Sequence, residues 1–415
     1  MKTSLFFKSY EEVVDWLFVQ LPNYQAKGGA AYKPGLDTIN TLLRTLGNPH
    51  DDFRSVHIAG TNGKGSTAHM LSSVYQENGY KVGIFTSPHI VDFRERIKIN
   101  GEMISKEFVF DFVNEFKDTI DKLGASFFEI TTAMAFYAFA KEELDLAIVE
   151  TGLGGRLDST NVLSPELSII TNIGIDHTQF LGETLAEIAV EKAGIIKKNT
   201  PVLIGRLQEE TQKVFVEKSN DLGASLTYAV DAQLSSDLMG KYQKENASTV
   251  SSAIQILEEK FPTDSLKVKF GLKRVAINTK FMGRFQKIQD SPIVILDAAH
   301  NPSGIKNLLE EIKQFGYDKL HIVYGSSNDK DVATVFKILP KNASYYFTTF
   351  NSSRSLSIED FQVFSDANKL QSIYFNSSIK ALKRSKVEAC EFDLILVCGS
   401  FFVLEEILKG ELLND

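Results

Sequence analysis

Val56-His57-Ile58-Ala59-Gly60-Thr61-Asn62-Gly63-Lys64-Gly65-Ser66-Thr67 decides the fold. A short β-branched run enters a glycine-rich turn, and a helical period follows to about residue 78. That is a strand, a loop and a helix in immediate succession. Glycines let the backbone curl until its N–H groups point at one anion, and the helix N-terminus adds positive potential. Lys64 has the reach to touch terminal phosphates, and a hydroxyl of Ser66 or Thr67 can face a magnesium ion. The spacing departs from the common G-x4-G-K-[ST] pattern, because glycines flank Lys64 on both sides and the first glycine stands closer.

Working outward, the same alternation repeats. Strands are expected over 81–85, 144–149 and 167–171, and helices over 108–123, 130–143, 184–196 and 246–261. A second series starts near residue 290, with strands over 292–296, 321–324, 345–348 and 394–397 and helices over 304–314, 332–339, 358–368 and 402–408. Such alternation implies parallel sheets covered on both faces. The boundary is placed in the segment 279–286, giving domains 1–283 and 284–415. A length of 415 residues suits two domains, and 43% hydrophobic with 24% charged residues suits globular cores. The net charge of −8 speaks against a nucleic-acid coat or a membrane-surface protein. The longest apolar run, 133–140, is far short of the roughly 20 residues of a bilayer span. Residues 1–4 lead into an amphipathic stretch over 10–21 without a signal-peptide core. Cys390 and Cys398 are the only cysteines, so neither a disulfide framework nor a four-cysteine zinc site is available. A cytoplasmic protein is expected, without nucleic-acid or membrane partners.

In open α/β sheets, ligands bind beyond the carboxyl ends of the strands. Ser87, Glu150, Thr171-Asn172 and Asp176-His177 fall at or just after such ends. Serine oxygen, carboxylate and imidazole together suit magnesium while leaving places for water and phosphate. Lys192 is unusual. It shares a helical face with Leu185, Ile188, Ala189 and Ile196, and an unpaired cation on an apolar face is costly. It requires a carboxylate such as Glu191, a route for its ammonium to water, or chemical modification.

Taken together, the residues resemble the dihydrofolate synthase/folylpolyglutamate synthase family, ATP-dependent ligases related to the Mur ligases. The resemblance rests on Gly60 to Ser66, on Ser87-Pro88-His89 with Glu95-Arg96-Ile97 and Ile99-Asn100-Gly101, and on Phe127-Phe128-Glu129. It continues through Gly152 to Asn161, Asn172 to Thr178 and Glu191 to Ile195. The second domain adds Gly283-Arg284-Phe285-Gln286, Asp297 to Pro302 and Asp329-Lys330-Asp331. Met282, Ala298 and Thr151 depart from the usual proline, glycine and valine, and none of these removes a reactive group. The implied fold is α/β: a P-loop-containing Mur-ligase-like ATPase domain with a smaller Rossmann-like C-terminal domain.

The resemblance also implies roles. Thr61, Asn62, Gly63, Lys64, Gly65 and Ser66 hold the ATP phosphates, and Asn246, Arg284 and Asp297 make further nucleotide contacts. Ser87, Glu150 and His177 are magnesium ligands, with a monovalent cation as a further candidate. Lys192 is a carbamylated lysine, which turns the awkward cation into an anion, and with Lys64 and His177 it forms the catalytic set. Phe127, Phe128, Glu129, Leu157, Asp158 and Ser159 contact the pterin, with Gly35-Leu36 contributing. His300 and Ser303 serve glutamate, with N-cap work as the plain alternative for Ser303. The small-molecule partners are ATP, L-glutamate, dihydropteroate and reduced folates, and a monomer is expected. The implied chemistry is ATP activation of a carboxylate as an acyl phosphate, followed by attack of the glutamate amine. Closure of the second domain near Gly283 excludes water. A Mur-type cell-wall ligase and a non-catalytic nucleotide-binding protein of the same fold are the alternatives. A dehydrogenase is disfavoured, since no G-x-G-x-x-G opens either series.

Overall fold

The computed structural model describes residues 6–19 and 35–412. Residues 1–4 and the last two positions of the stretch 10–21 lie outside the described residues. The rest of that stretch is the helix Tyr10–Val19.

The first sheet holds β1 (Ser55–Ala59), β2 (Val82–Phe85), β3 (Ile97–Ile99), β4 (Glu102–Met103), β5 (Leu146–Glu150), β6 (Leu167–Ile170), β7 (Val202–Ile204) and β8 (Leu226–Tyr228). Their order is β4-β3-β2-β5-β1-β6-β7-β8. Every residue of β1, β2, β5 and β6 is buried, as expected for parallel strands covered on both faces. β3 runs antiparallel to β2 and β4 antiparallel to β3, so the sheet is mixed rather than purely parallel. The second sheet holds β9 (Gln286–Asp290), β10 (Ile293–Leu296), β11 (Leu320–Tyr324), β12 (Ser344–Thr348), β13 (Gln371–Phe375) and β14 (Leu394–Cys398), in the order β13-β12-β11-β14-β10-β9. It is mixed too, because β9 pairs antiparallel with β10. Along β10, Val294 and Leu296 enter one core with Val323, Ile395 and Val397, while Ile295 enters another with Ile322, Leu394 and Leu396. The two-residue period therefore feeds a core on each face of this sheet.

The chain divides into two compact units. The first contains the described residues up to Pro88, Arg94–Asp237 and Gln243–Lys280. The second contains His89–Phe93, Leu238–Tyr242 and the chain from Phe281 onward. A single boundary in the sequence has no means of finding the two short segments that belong to the second unit. Other differences from the sequence reading have local causes. The helix expected from 130 begins at Phe127, because Ser126 and Glu129 form a capping box. The Ser126 hydroxyl accepts from the Glu129 N–H at 3.3 Å, and the Glu129 carboxylate accepts from the Ser126 N–H at 2.8 Å. The helix expected over 246–261 is Tyr242–Leu257. β3, β4 and β7 are too short to show a period, and β8, β9 and β13 are half exposed, so their alternation is weak.

Helix Lys64–Glu77, which follows the glycine-rich loop, is crossed by helix Ser265–Leu272. Their close approach depends on Gly271. A Cβ there would lie 2.6 Å from the Val74 Cα, and the Ser73 hydroxyl donates to the Gly271 carbonyl at 2.6 Å. Backbone cannot move aside as a flexible side chain can. Gly271→Ala is therefore expected to destabilise the protein by about 1–3 kcal/mol. Denaturant unfolding checks this, and an unchanged midpoint would contradict it.

Candidate functional site

Strand register builds the site. Ile58 of β1 is level with Glu150 of β5, Ala59 with Ile170 of β6, and Phe85 of β2 with Val149 of β5. The carboxyl ends of β2, β5, β1 and β6 thus stand side by side. The loop Gly60–Gly63 leaves β1 there and turns into helix Lys64–Glu77, with Gly63 at φ +86° as the residue before its first turn. A Cβ on Gly60 would fall 1.9 Å from the Thr171 hydroxyl oxygen, and one on Gly63 would fall 2.4 Å from Asn246 Oδ1. Both glycines are therefore sterically required.

The turn after β6 braces this loop. Thr61 N–H donates to the Asn172 carbonyl at 2.9 Å, and Asn62 N–H donates to Asn172 Oδ1 at 3.0 Å. Thr171 Oγ1 and Asn172 Nδ2 return bonds to the Asn62 carbonyl at 2.7 and 3.0 Å. The Thr61 hydroxyl accepts from Gly174 N–H at 2.9 Å and donates to its carbonyl at 3.1 Å. Gln243 Nε2 donates to the Ser66 hydroxyl at 3.2 Å, while Asn246 Nδ2 donates to Gln243 Oε1 at 2.8 Å. The sequence reading missed Gln243. Its signal was there, one helical turn ahead of Asn246.

Two lysines converge on one carbonyl. Lys64 Nζ donates to Gly60 O at 3.1 Å and Thr61 O at 3.3 Å, and Lys192 Nζ donates to Gly60 O at 2.9 Å. Lys192 is only 4% exposed. Burial first, and then the neighbouring Lys64 cation, bring its ammonium down to about 7 against the pull of Asp176 and Asp158. Glu191 is not its partner as one reading of the sequence had it, because Glu191 pairs with Arg156 at 2.9 Å. Glu150, buried, stands 3.7 Å from Lys64 Nζ and accepts from Ser87 N–H at 3.2 Å. Arg96 adds a buried cation near Glu150 and lies over the Phe127 ring at 5.2 Å. His177, in a left-handed conformation at φ +50°, takes an Asp176 oxygen on its own N–H at 2.9 Å.

Among the described residues, no three His, Cys, Asp or Glu side chains group into a metal cluster. The mixed set of Ser87, Glu150 and His177 suits a hard divalent cation that takes its remaining ligands from phosphate and water. The Ser87 N–H bond to Glu150 holds two of these three residues together, and the donor types fit.

Phe127, Phe128 and Glu129 form the first turn of their helix. Phe127 is buried and stacks with Phe18 at 6.0 Å between centroids, whereas Phe128 is half-buried and tilted against Phe85 at 5.8 Å. A Cβ on Gly152 would fall 2.5 Å from Phe128 Cζ, so glycine is what lets the loop lie against that ring. Glu129 is bound to Ser126 in the capping box, with the Ser126 hydroxyl also 2.7 Å from its carboxylate. Asp158 is buried and accepts from Leu153 N–H at 2.8 Å and Thr160 N–H at 3.0 Å. It thereby ties down the loop that carries half-buried Leu157 and Ser159.

In the second unit, Asp297 accepts the N–H groups of Phe285 and Ala299, each at 2.7 Å, and the Tyr242 hydroxyl at 3.4 Å. Burial pushes its carboxyl up, against the neighbouring Arg284. Arg284 lies over the Phe401 ring at 4.8 Å, and His300, 6.0 Å from the same ring, is bonded through Nδ1 to the Ala298 carbonyl at 2.9 Å. Ser303 is not the helix cap that its position suggested. Asn301 caps helix Pro302–Glu311 by accepting from Gly304 N–H at 2.7 Å, while Ser303 is exposed in the first turn.

Comparisons with known proteins agree with this arrangement. The Mur ligase middle domain matches residues 58–288, and the Mur ligase glutamate ligase domain matches residues 283–401. The chain is 34% identical to the dihydrofolate synthase/folylpolyglutamate synthase of Bacillus subtilis, over 97% of this chain and 99% of that protein. It is also 34% identical to a probable bifunctional folylpolyglutamate synthase/dihydropteroate synthase of Haloferax volcanii, over 96% of this chain but only half of that longer protein. Escherichia coli FolC in complex with DHPP and ADP superposes with a TM-score of 0.87 at 26% identity, covering 99% of this chain and 100% of that one.

Lys192 meets the requirements for a carbamate: a buried amine, half neutral near pH 7, beside a second cation. Carbon dioxide reacts only with the neutral amine. At fixed carbon dioxide pressure, the uptake of isotope-labelled carbon dioxide by the protein is expected to rise as pH increases through about 7. The label should be absent from Lys192→Gln. Carbon NMR reads it directly, and a fully active protein without label at Lys192 would contradict the assignment.

Proposed function

The chain belongs to the dihydrofolate synthase/folylpolyglutamate synthase family of Mur ligases, and we propose on that footing that it joins L-glutamate to dihydropteroate and to reduced folates at the expense of ATP. The observation that supports this reading best is the convergence of Lys64 and Lys192 on the Gly60 carbonyl, with Glu150 3.7 Å from Lys64, at aligned strand ends.

A carboxylate is a poor acyl donor, because its leaving group would be oxide. The acceptor carboxylate attacks the γ-phosphorus of ATP, ADP leaves, and an acyl phosphate forms. The glutamate amine then attacks the acyl carbon, and hydrogen phosphate departs carrying the amine's proton. Lys64 and the N–H groups of residues 63–66, at the start of the helix, hold the polyphosphate and screen the approach of two anions. Ser87, Glu150 and His177 would hold a magnesium ion, which would supply further charge neutralisation on the phosphates. A carbamate on Lys192 would replace a cation by an anion beside that ion. Arg284, Asp297 and Asn246 are assigned to the nucleotide, and His300 and Ser303 to glutamate. The aromatic turn at Phe127-Phe128 and the loop 152–159 are assigned to the pterin, whose flat ring suits stacking. Domains 1–283 and 284–415, a cytoplasmic location and a monomeric state complete the reading. No helix among the described residues is long and apolar enough to cross a membrane.

Lys64→Ala is expected to leave the fold intact and lower turnover by on the order of 10² or more, since it removes one preorganised cation from a transferring phosphoryl group. Phosphate release with dihydropteroate and glutamate, alongside thermal unfolding, measures both. Near-normal turnover would overturn the assignment.

Two acceptors differ by one glutamate in where the reacting carboxylate sits, so one ATP site serves both only if the pterin has two placements. Turnover with dihydropteroate and with tetrahydrofolate is expected in the same preparation. Phe128→Ala should depress the dihydropteroate reaction selectively. Steady-state kinetics with each acceptor decides, and turnover of tetrahydrofolate without any of dihydropteroate would leave a polyglutamating enzyme only.

A further inference from the structure

His57 sits in the middle of β1 and is wholly buried. Its Nε2 is 2.8 Å from the Thr160 hydroxyl, and that hydroxyl is 2.5 Å from Asp158 Oδ1. Thr160 has one hydroxyl hydrogen, and the carboxylate takes it. Toward His57 the oxygen can then only accept, so His57 carries its hydrogen on Nε2 and none on Nδ1. Nδ1 is buried without a hydrogen-bond partner. Burial above all, with the Lys197 cation adding to it, holds the ring's pKa down at about 3, so the imidazole is neutral.

An acceptor left unsatisfied inside a sheet weakens the fold, and valine or leucine would fill the strand without that cost. The ring's one bond is therefore what the position provides. That bond leads into the loop of the acceptor site. Asp158, oriented by Thr160, also accepts from the N–H of Leu153 at 2.8 Å, in the peptide that follows Gly152. Gly152 in turn lies against the outer end of the Phe128 ring.

We propose that His57 is a positioning residue for the pterin side of the site, acting through Thr160 and Asp158 on the Gly152–Leu153 backbone and so on the space over Phe128. This inference rests on the assignment of that loop and ring to the acceptor. It separates the two strand-end functions of β1. Its last residues lead into the phosphate loop, while the side chain of His57 sets the neighbouring loop. His57 itself touches no reacting atom.

The test uses full-length His57→Leu, Thr160→Val and His57→Gln. Thr160→Val keeps the shape and loses only the hydroxyl. Glutamine places an N–H near the position of Nε2. His57→Leu and Thr160→Val are expected to raise KM for dihydropteroate about tenfold, the scale of one lost hydrogen bond, with KM for ATP unchanged. The double variant should be no worse than either single one, because both break the same relay. His57→Gln should restore near-normal KM, which a mere packing role would not do. Amide exchange at Leu153 should quicken in Thr160→Val and in His57→Leu and stay near normal in His57→Gln. An unchanged dihydropteroate KM in His57→Leu, an equal rise in KM for ATP, or a glutamine variant as poor as leucine would overturn the proposal. If the wild type does not use dihydropteroate, the proposed activity fails. Amide exchange at Leu153 then still decides the relay, unchanged exchange in Thr160→Val overturning it.

Discussion

One backbone carbonyl, that of Gly60, receives the ammonium groups of both Lys64 and Lys192. Two like charges on one small dipole repel strongly where water is scarce. The arrangement is tolerable because the carbonyl supplies partial negative charge, because Glu150 stands close to Lys64, and because burial moves Lys192 toward its neutral form. Such a site favours anions. A polyphosphate would satisfy Lys64 and the N–H groups of the first helical turn together, and a carbamate would remove the like-charge pair altogether. The chemistry of phosphoryl transfer therefore follows from where a single strand ends.

That strand end is fixed by packing rather than by the loop's own preferences. Gly60 runs against Thr171 and Gly63 against Asn246, with no room for a side chain at either. The turn after β6 then satisfies the loop's backbone with bonds from Thr171, Asn172 and Gly174. The Thr61 and Asn62 N–H groups are spent on Asn172, so the rigid neighbouring turn supplies the order that the loop lacks by itself. The turn at Phe127-Phe128 is built differently: a capping box holds it, and it meets a loop held by one buried carboxylate, Asp158.

Much of this was legible in the residues. The strand–glycine–helix run at 56–67 and the alternating pattern were enough for the α/β class, since glycine permissiveness and hydrophobic period act over a few residues. Lys192 stood out because a lysine on an apolar face violates the helical pattern. Short or half-exposed strands such as β4, β8 and β13 left no such mark. Ser126 and Glu129 carried a capping-box signature that moves the helix start by three residues, and that signature was overlooked. Gln243 was marked only by its place one helical turn ahead of Asn246, and for His57 nothing nearby in sequence marks what it touches.

The sequence by itself determined the elements, the phosphate loop and the types of group at the strand ends, because each depends on contacts within one turn or one strand. Only the tertiary structure decided the pairings: Lys192 with Gly60 rather than Glu191, Glu191 with Arg156, and His57 with Thr160. Most of these join residues tens of positions apart, and strand register brings them together. Register follows from how whole sheets bury their faces, and no window of neighbouring residues contains that information.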